Sequence, residues 1–122
     1  MTFKVSKLSS DEFNYLIKVW HESEASSPNT PKEILEKLSN DEDFYVRACV
    51  AQNSNSSEEV LEKLSNDEDF RVRAYVALNP NTSEEILKKL MDDGKYIYEC
   101  VCSNTNLTET IRNIIRLKDL LR

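Results

Sequence analysis

The hydrophobic and polar positions of the chain repeat with a fixed period of 26 residues, as between Asn29 and Asn55. Residues 29–54 read NTPKEILEKLSNDEDFYVRACVAQNS, and residues 55–80 read NSSEEVLEKLSNDEDFRVRAYVALNP, with 18 of the 26 positions identical. A third copy begins at Asn81 and is one residue shorter in its middle loop. A fixed period of this length predicts a stack of structural repeats.

The first half of each copy has the spacing of a short helix. Apolar residues recur at i, i+1 and i+4, as in Ile34, Leu35 and Leu38, which places them on one helix face. A hydroxyl residue followed three positions later by Glu precedes each stripe and predicts a capping box. The three pairs are Thr30 with Glu33, Ser56 with Glu59, and Thr82 with Glu85.

The second half of each copy also predicts a helix. Valines keep i, i+4 spacing, as in Val46 and Val50, and Ala48 between them allows close helix contact. Residues 95–102 have the composition of a strand when taken alone, but their register with the two helical copies predicts a helix. A turn residue closes each copy, at Asn53, Asn79 and Asn104.

The two ends of the chain depart from the repeat. Residues 1–27 match it poorly, but a capping box at Ser9 and Glu12 precedes an apolar stripe that predicts an N-terminal capping helix. The stripe consists of Phe13, Leu16, Ile17 and Trp20. Residues 107–122 predict a C-terminal capping helix, because Arg112 replaces a core leucine of the copies. We therefore expect one domain with repeats over 28–106, divided as 28–54, 55–80 and 81–106.

Composition restricts the class of protein. An apolar content of 39% and a charged content of 31%, with one glycine, are normal for a soluble globular chain. No apolar run approaches the roughly 18 residues of a membrane span, and the N-terminus lacks the apolar core of a signal peptide. We expect a cytoplasmic protein. The net charge of −6 disfavours nucleic-acid binding and suits a partner with a basic surface.

Catalytic and metal-binding chemistry finds no support in the sequence. His21 is the only histidine, and the carboxylates lie in repeated loops, whereas a catalytic site requires a unique pocket. The three cysteines fall on packing positions and predict buried thiols rather than disulfides: Cys49, Cys100 and Cys102. We expect neither enzyme activity nor a metal ion or cofactor.

The repeat resembles a known family. Residues 41–53, DEDFYVRACVAQN, followed by NSNSSEEVLEKL at 53–64, resemble the leucine-rich repeat variant, and the turns PNTP at 28–31 and NPNT at 79–82 match it. The resemblance covers about residues 28–106, and the same core is similar to HEAT repeats. It implies an all-α, right-handed superhelical solenoid of about three helix-pair repeats, which acts as a scaffold for binding proteins.

The resemblance also implies a structural ladder. Arg47 and Arg73 would pair with loop aspartates such as Asp43 and Asp69 and so tie successive repeats together. Tyr98 stands at the equivalent position of the third copy, and the ladder would stop there. One type in this family carries an iron–sulfur cluster on an N-terminal cysteine-rich segment. Residues 1–48 contain no cysteine, so no cluster is expected.

Two sets of residues are candidates for a binding surface. Positions that differ between otherwise identical copies, with the aromatic residues of the third copy, predict a partner-binding surface. They are Tyr45, Arg71, Gln52, Tyr75, Tyr96 and Tyr98. The acidic loops predict a ridge, because repeats stack in register. The ridge residues are Asp41, Glu42, Asp43, Asp67, Glu68, Asp69, Asp92 and Asp93.

The function that follows is a non-enzymatic protein–protein interaction scaffold. The alternative is a small acidic inhibitor, or a nucleic-acid mimic, that binds a basic partner through the ridge. The bland interpretation of the same acidic residues is helix capping. Association of two chains at their caps, giving a homo-oligomer, is also compatible with the pattern.

Overall fold

The protein is all-helical in the computed structural model, which describes residues 8–121. Within this range the chain forms eight helices and no strand. They are α1 (Ser10–Ser26), α2 (Lys32–Leu38), α3 (Phe44–Gln52), α4 (Glu58–Leu64), α5 (Phe70–Leu78), α6 (Glu84–Leu90), α7 (Lys95–Cys102) and α8 (Glu109–Leu120). The helix predicted over 95–102 is confirmed as α7. None of these helices has the length and apolar character required to cross a bilayer.

Helices α2, α4 and α6 begin one residue later than the capping boxes predicted. Ser57 and Ser83 accept hydrogen bonds from the third residue of α4 and α6, at 3.2 and 3.3 Å. The predicted caps Thr30, Ser56 and Thr82 are buried instead. Their hydroxyl groups donate to carbonyl groups six residues earlier, on Glu24, Val50 and Val76. These hydroxyls therefore join each helix to the one before it.

The odd-numbered helices α3, α5 and α7 have two different kinds of N-terminus. The carboxylates of Asp43 and Asp69 accept from the backbone N–H groups of Tyr45 and Arg71, at 2.8 and 2.9 Å. An acidic cap also suits the positive end of the helix dipole. In the shortened third copy Gly94 precedes α7 with φ +118°, a conformation that residues with a β-carbon rarely adopt.

The core lies between the odd-numbered and even-numbered helices. The odd-numbered helices contact one another in chain order: α1 with α3, α3 with α5, and α5 with α7. Helices α2, α4 and α6 each contact the helix before and the helix after them in sequence. Leu35, Leu61 and Leu87 occupy equivalent positions and are completely or almost completely buried. Each contributes about 2 kcal/mol of hydrophobic free energy. Ala48 and Ala74 are buried and permit close contact between odd-numbered helices.

The two end helices expose much of their apolar surface. In α1 only Ala25 is buried, although Ser9 caps the helix as predicted. In α8 only Ile111 is buried. The residues expected to form the N-terminal cap remain exposed, namely Phe13, Leu16, Ile17 and Trp20. Among the described residues, no further helix lies against these surfaces.

Candidate functional site

Arg47 and Arg73 each join two successive acidic loops. The Nε and Nη2 atoms of Arg47 donate to Asp67 at 2.8 and 3.2 Å, and those of Arg73 donate to Asp93 at 2.8 and 3.3 Å. Each Nη1 also donates at 2.7 Å to a backbone carbonyl group of the preceding loop, that of Asp41 for Arg47. The arginines thus bridge adjacent helix pairs.

The expected pairing of these arginines with Asp43 and Asp69 is wrong. Those two carboxylates cap their own helices by accepting from the N–H groups of Tyr45 and Arg71. The partner is instead an aspartate of the next copy's loop, because loops of successive copies stack beside each other. The hydrogen bond with Asp67 raises the pKa of Arg47 above its usual value, against the opposing effect of burial. Arg47 therefore stays charged.

The series of side-chain contacts between successive units extends in both directions beyond the arginines. His21 stands one repeat period before Arg47, and its Nδ1 atom lies 2.8 Å from the Oδ2 atom of Asp41. At the other end, the hydroxyl group of Tyr98 lies 3.4 Å from Asp119. The expectation that the ladder stops at Tyr98 is therefore wrong. A phenol hydroxyl group still donates a hydrogen bond where the guanidinium group is missing.

A second ladder, of buried asparagines, was not foreseen from the sequence. The Nδ2 atom of Asn53 donates to the carbonyl groups of Ala25 and Ser27, at 2.8 and 2.7 Å. Asn79 and Asn104 repeat this bond pattern one copy further on. In each case Oδ1 accepts from the backbone N–H two residues later. The turn asparagines therefore also hold successive units together, and their recurrence was the signal available in the sequence.

Most of the predicted acidic ridge is engaged within the protein. Asp41, Asp67 and Asp93 face His21, Arg47 and Arg73, while Asp43 and Asp69 cap helices. Asp43 also lies 3.4 Å from Lys18, and Asp92 lies 3.2 Å from Lys118. The side chains of Glu42 and Glu68 are exposed at the surface. The acidic residues do form a row, but nearby basic side chains pair with most of their carboxylates.

The variable positions come together in one groove. Five of the six predicted partner-binding residues line it, and its volume is about 480 Å³. We call it the aromatic groove and define it by its lining residues. They are Ser26, Phe44, Tyr45, Ala48, Cys49, Gln52, Arg71, Ala74, Tyr75, Leu78 and Tyr96. Phe44 and Leu78 were not among the predicted site residues, although Leu78 varies with Gln52 between copies.

Tyr98 is the predicted binding residue that the groove does not contain. Only 8% of its surface is exposed, and its hydroxyl group bonds to Asp119 on α8. Its neighbour Tyr96 is 57% exposed and lines the groove. The two tyrosines point in different directions because they lie two residues apart on a helix, which separates them by about 200°. Tyr98 is therefore a packing residue of the ladder.

Arg71 has a fixed position at the edge of the aromatic groove. Its Nε and Nη2 atoms donate to both oxygens of Asp69, at 3.0 and 2.8 Å, and its guanidinium carbon lies 3.8 Å from the centre of the Phe44 ring. This pairing raises the pKa of Arg71 and lowers the pKa of Asp69. Phe70 lies beside both Arg71 and Tyr96, since its ring centre is 5.9 Å from the guanidinium carbon of Arg71 and 5.7 Å from the ring centre of Tyr96, which packs edge-on.

The cysteines divide into two classes. Cys49 and Cys100 are buried as expected, whereas Cys102 is exposed, so its predicted burial is wrong. Cys102 lies in the last turn of α7, where no further odd-numbered helix covers it among the described residues. Burial raises the pKa of Cys100, and the charge of Glu99 adds to the effect. Within residues 8–121, no group of three His, Cys, Asp or Glu side chains is placed to hold a metal ion.

Comparison with known proteins supports the family resemblance. The family model described as leucine rich repeat variant matches residues 70–94, from the start of α5 to the residue before α7. This match confirms the resemblance over that segment of the chain. Searches of curated proteins and of solved structures returned no match.

Proposed function

We propose that the chain is a non-enzymatic scaffold that binds another protein through the aromatic groove. In this proposal the helix pairs 28–54, 55–80 and 81–106 form a right-handed solenoid, closed by helices in 1–27 and 107–122. The two hydrogen-bonded ladders support this arrangement, since equivalent bonds recur from one copy to the next. A rigid stack of this kind presents a continuous face on which side chains can vary.

The main support for the proposal is the location of the sequence differences between helices α3 and α5. Copies one and two differ at eight of 26 positions; three of these eight pairs are the only differences between α3 and α5, and all three line the aromatic groove. These pairs are Tyr45 with Arg71, Cys49 with Tyr75, and Gln52 with Leu78. Stacking of the repeats does not require these residues to differ, whereas recognition of a partner requires specific side chains at specific positions.

The chemistry of the groove suits a segment of another protein chain. Tyr45 and Tyr96 are 52% and 57% exposed, and tyrosine and arginine dominate the energetic centres of protein interfaces. Phenol rings offer apolar area and a hydrogen-bonding group at small cost in conformational entropy. Arg71 is already paired with Asp69, so the groove carries little free charge. We expect an extended or helical peptide segment with apolar side chains.

The acidic alternative has less support from the geometry. A phosphate mimic requires unneutralised carboxylates in a row, but Asp41, Asp67 and Asp93 already face a basic side chain. Nucleic acid is disfavoured by the net charge of −6. The three free thiols suit a reducing compartment, and the cytoplasm is the location that we propose.

A photocrosslinking experiment tests the proposal. A benzoyl-phenylalanine residue is placed at Tyr75 in the groove, or at Glu62 on the exposed side of α4, and each variant is irradiated in lysate of the source organism. We expect a protein that crosslinks from position 75 and not from position 62. The purified partner should then bind the unmodified chain, with its Kd raised at least tenfold by Tyr75→Ala or Tyr96→Ala.

The control distinguishes the groove from the acidic loops. Glu42→Gln with Glu68→Gln removes two exposed charges and leaves the ladder hydrogen bonds in place, because the contact of Glu68 with Arg47 is a 4.0 Å ion pair of a side chain that is 92% exposed. This double variant should bind the partner as the unmodified chain does. Binding that is lost in the double variant and retained in Tyr75→Ala would reject the groove in favour of the acidic surface.

A further inference from the structure

We propose that the aromatic groove binds an extended segment of another protein in which two basic residues flank an apolar centre. Such binding rests on the scaffold function proposed above and specifies the chemistry of the partner. Two carboxylates that were not among the predicted site residues favour it. They belong to Glu22 of α1 and Glu99 of α7, which lie at the two ends of the groove.

The aromatic groove crosses the odd-numbered helices rather than following one of them. Its floor contains Ala48 on α3 and Ala74 on α5, both of which are buried. Larger lining residues stand three positions before and four positions after each alanine, which is one turn away on the same helix face. They are Tyr45 and Gln52 around Ala48, and Arg71 and Leu78 around Ala74. Small residues between two rows of large ones leave a channel that runs from helix to helix.

Glutamates replace these alanines on the two flanking odd-numbered helices. Glu22 stands one repeat period before Ala48, and Glu99 corresponds to Ala74 in the shortened third copy. Since α1 packs against α3 and α7 packs against α5, the four equivalent positions form one row across the groove. The row therefore has a carboxylate at each end and two methyl groups between them.

The positions of both glutamates on their helices agree with this alignment. Glu22 lies four residues before Ser26, and Glu99 lies three residues after Tyr96, and both Ser26 and Tyr96 line the groove. Residues at these two spacings share one face of a helix. Glu22 is partly exposed and Glu99 is exposed, so both carboxylates are accessible to a partner that lies in the groove.

The charges of these two carboxylates are not balanced by the described part of the chain. Among residues 8–121, no lysine, arginine or histidine forms an ion pair with Glu22 or Glu99. Arg71 lies in the groove between them, but both oxygens of Asp69 already hold its guanidinium group. A partner with a basic side chain at each end would pair with the two glutamates, while its apolar centre would cover the exposed tyrosine rings.

The dimensions of the channel favour an extended partner segment and set the spacing of its basic residues. The residues on its two sides, such as Tyr45 and Gln52, are separated by a rise of about 10 Å along their helix, whereas a bound helix with its side chains is about 10–12 Å wide. Packed helices lie about 8–10 Å apart, so the three steps from α1 to α7 separate the two glutamates by about 24–30 Å. At about 3.3 Å per residue, an extended chain covers this distance in about seven to nine residues.

Peptide selection tests this specificity directly. Random segments of about 20 residues, long enough to cross the groove as a strand or as a helix, are displayed on phage and selected on the unmodified chain. Segments that still bind Tyr75→Ala are discarded. We expect the remaining segments to carry lysine or arginine at two positions about seven to nine residues apart, with apolar residues between them. A parallel selection on Glu22→Lys with Glu99→Lys should return aspartate or glutamate at those two positions and the same apolar centre.

A synthetic peptide taken from the first selection measures the contribution of the two carboxylates. Glu22→Gln with Glu99→Gln should raise its Kd about fivefold through the loss of two exposed ion pairs, and high salt should reduce this effect. The matched control is Glu36→Gln with Glu58→Gln, which removes the same charge from exposed positions on α2 and α4. The control should leave the Kd of the peptide unchanged.

The outcomes distinguish failure of this specificity from failure of the scaffold function. If no selected segment depends on Tyr75, the groove does not bind peptide segments, and both proposals are overturned. If segments depend on Tyr75 but lack the two basic residues, or carry them about 16–20 positions apart as a helix would, the groove binds a partner but not an extended segment with basic ends. Equal Kd values for the Glu22→Gln with Glu99→Gln variant and its control would overturn the specificity as well.

Far-ultraviolet circular dichroism confirms that each variant is folded. If the double lysine variant unfolds, Glu22→Gln with Glu99→Gln takes its place in the parallel selection. Segments selected on that neutral variant should keep the apolar centre and lose the preference for basic ends. Selected segments with the same basic ends would show that the two glutamates do not recognise them.

Discussion

Arg47 holds Asp67 with two parallel hydrogen bonds, although the two residues belong to different copies of the repeat. The guanidinium Nε and Nη2 atoms lie 2.8 and 3.2 Å from the two carboxylate oxygens, and Nη1 donates to the carbonyl group of Asp41. The side chains of both residues are largely shielded from water, at 11% and 8% exposure. One arginine therefore connects α3, the loop before it and the loop before α5.

Loss of this arginine should destabilise the fold. Arg47→Ala leaves the shielded carboxylate of Asp67 with only the N–H group of Asp69 as a donor and removes the side-chain donor of the Asp41 carbonyl group. We expect a loss of about 2–3 kcal/mol in the free energy of unfolding. Urea denaturation monitored by circular dichroism measures it. Arg73→Ala should act in the same direction, since Arg73 makes the equivalent bonds to Asp93.

Arg71→Ala is the matched control for Arg47→Ala. It removes an arginine–aspartate pair from the same chain, but the side chain of Arg71 is 50% exposed and its partner Asp69 keeps its bond to the N–H group at position 71. The shift in the urea midpoint should be clearly smaller, because water replaces the lost partner. Equal shifts of the urea midpoint for Arg47→Ala and Arg71→Ala would show that the arginine ladder does not stabilise the fold more than an exposed ion pair does.

The buried asparagines should contribute at least as much to stability. Asn79 is 2% exposed; it donates to the carbonyl groups of Ala51 and Asn53 and accepts from the N–H group of Asn81. Asn79→Ala removes the side-chain partner of the Ala51 carbonyl group and of the Asn81 N–H group in a buried region, while the carbonyl group of Asn53 keeps the N–H group of Ser56. We expect a loss of about 3 kcal/mol, measured as the decrease in the free energy of unfolding in urea.

Asn81→Ala provides the comparison for Asn79→Ala. The Asn81 amide group makes one bond, to the carbonyl group of Ser54, at an exposed position. Water can replace that bond, so the expected loss is about 1 kcal/mol or less. A loss for Asn79→Ala no greater than that for Asn81→Ala would mean that the asparagine ladder contributes nothing beyond ordinary turn formation.

The helix pairs could be predicted from the sequence because their signal is local and repeated. Apolar stripes at helical spacing recur once in every copy, and the register even corrected the strand-like composition of residues 95–102. The caps were misplaced by one residue, since Ser56 and Ser57 are both competent caps and only packing decides which one turns inward. The local sequence pattern does not indicate which of the two serines caps the helix.

The contacts between copies were harder to predict. The partner of Arg47 depends on how two loops stack, which is set by tertiary packing rather than by spacing along the chain. The groove residues could be found by comparing copies, because variation itself was the signal. Tyr98 was wrongly included with them, since composition alone does not separate a buried tyrosine from the exposed Tyr96 two residues earlier.

His21 tests whether the N-terminal helix is held by the same device as the complete pairs. His21→Arg would place on α1 the side chain that α3 and α5 use, facing an aspartate that already occupies the equivalent position. The longer guanidinium group can form two bonds to the carboxylate of Asp41, where imidazole forms one. We expect α1 to be bound more firmly by about 0.5–1 kcal/mol.

Amide hydrogen exchange over residues 10–26 measures this effect, because opening of α1 from α3 exposes its amides without global unfolding. Protection should increase in His21→Arg and decrease in His21→Ala. Lys18→Ala is the control on the same helix, since Lys18 approaches Asp43 at 3.4 Å but its side chain is 57% exposed; we expect it to change protection less than His21→Ala. If His21→Arg lowers protection instead, α1 is not held by a ladder contact equivalent to that of Arg47.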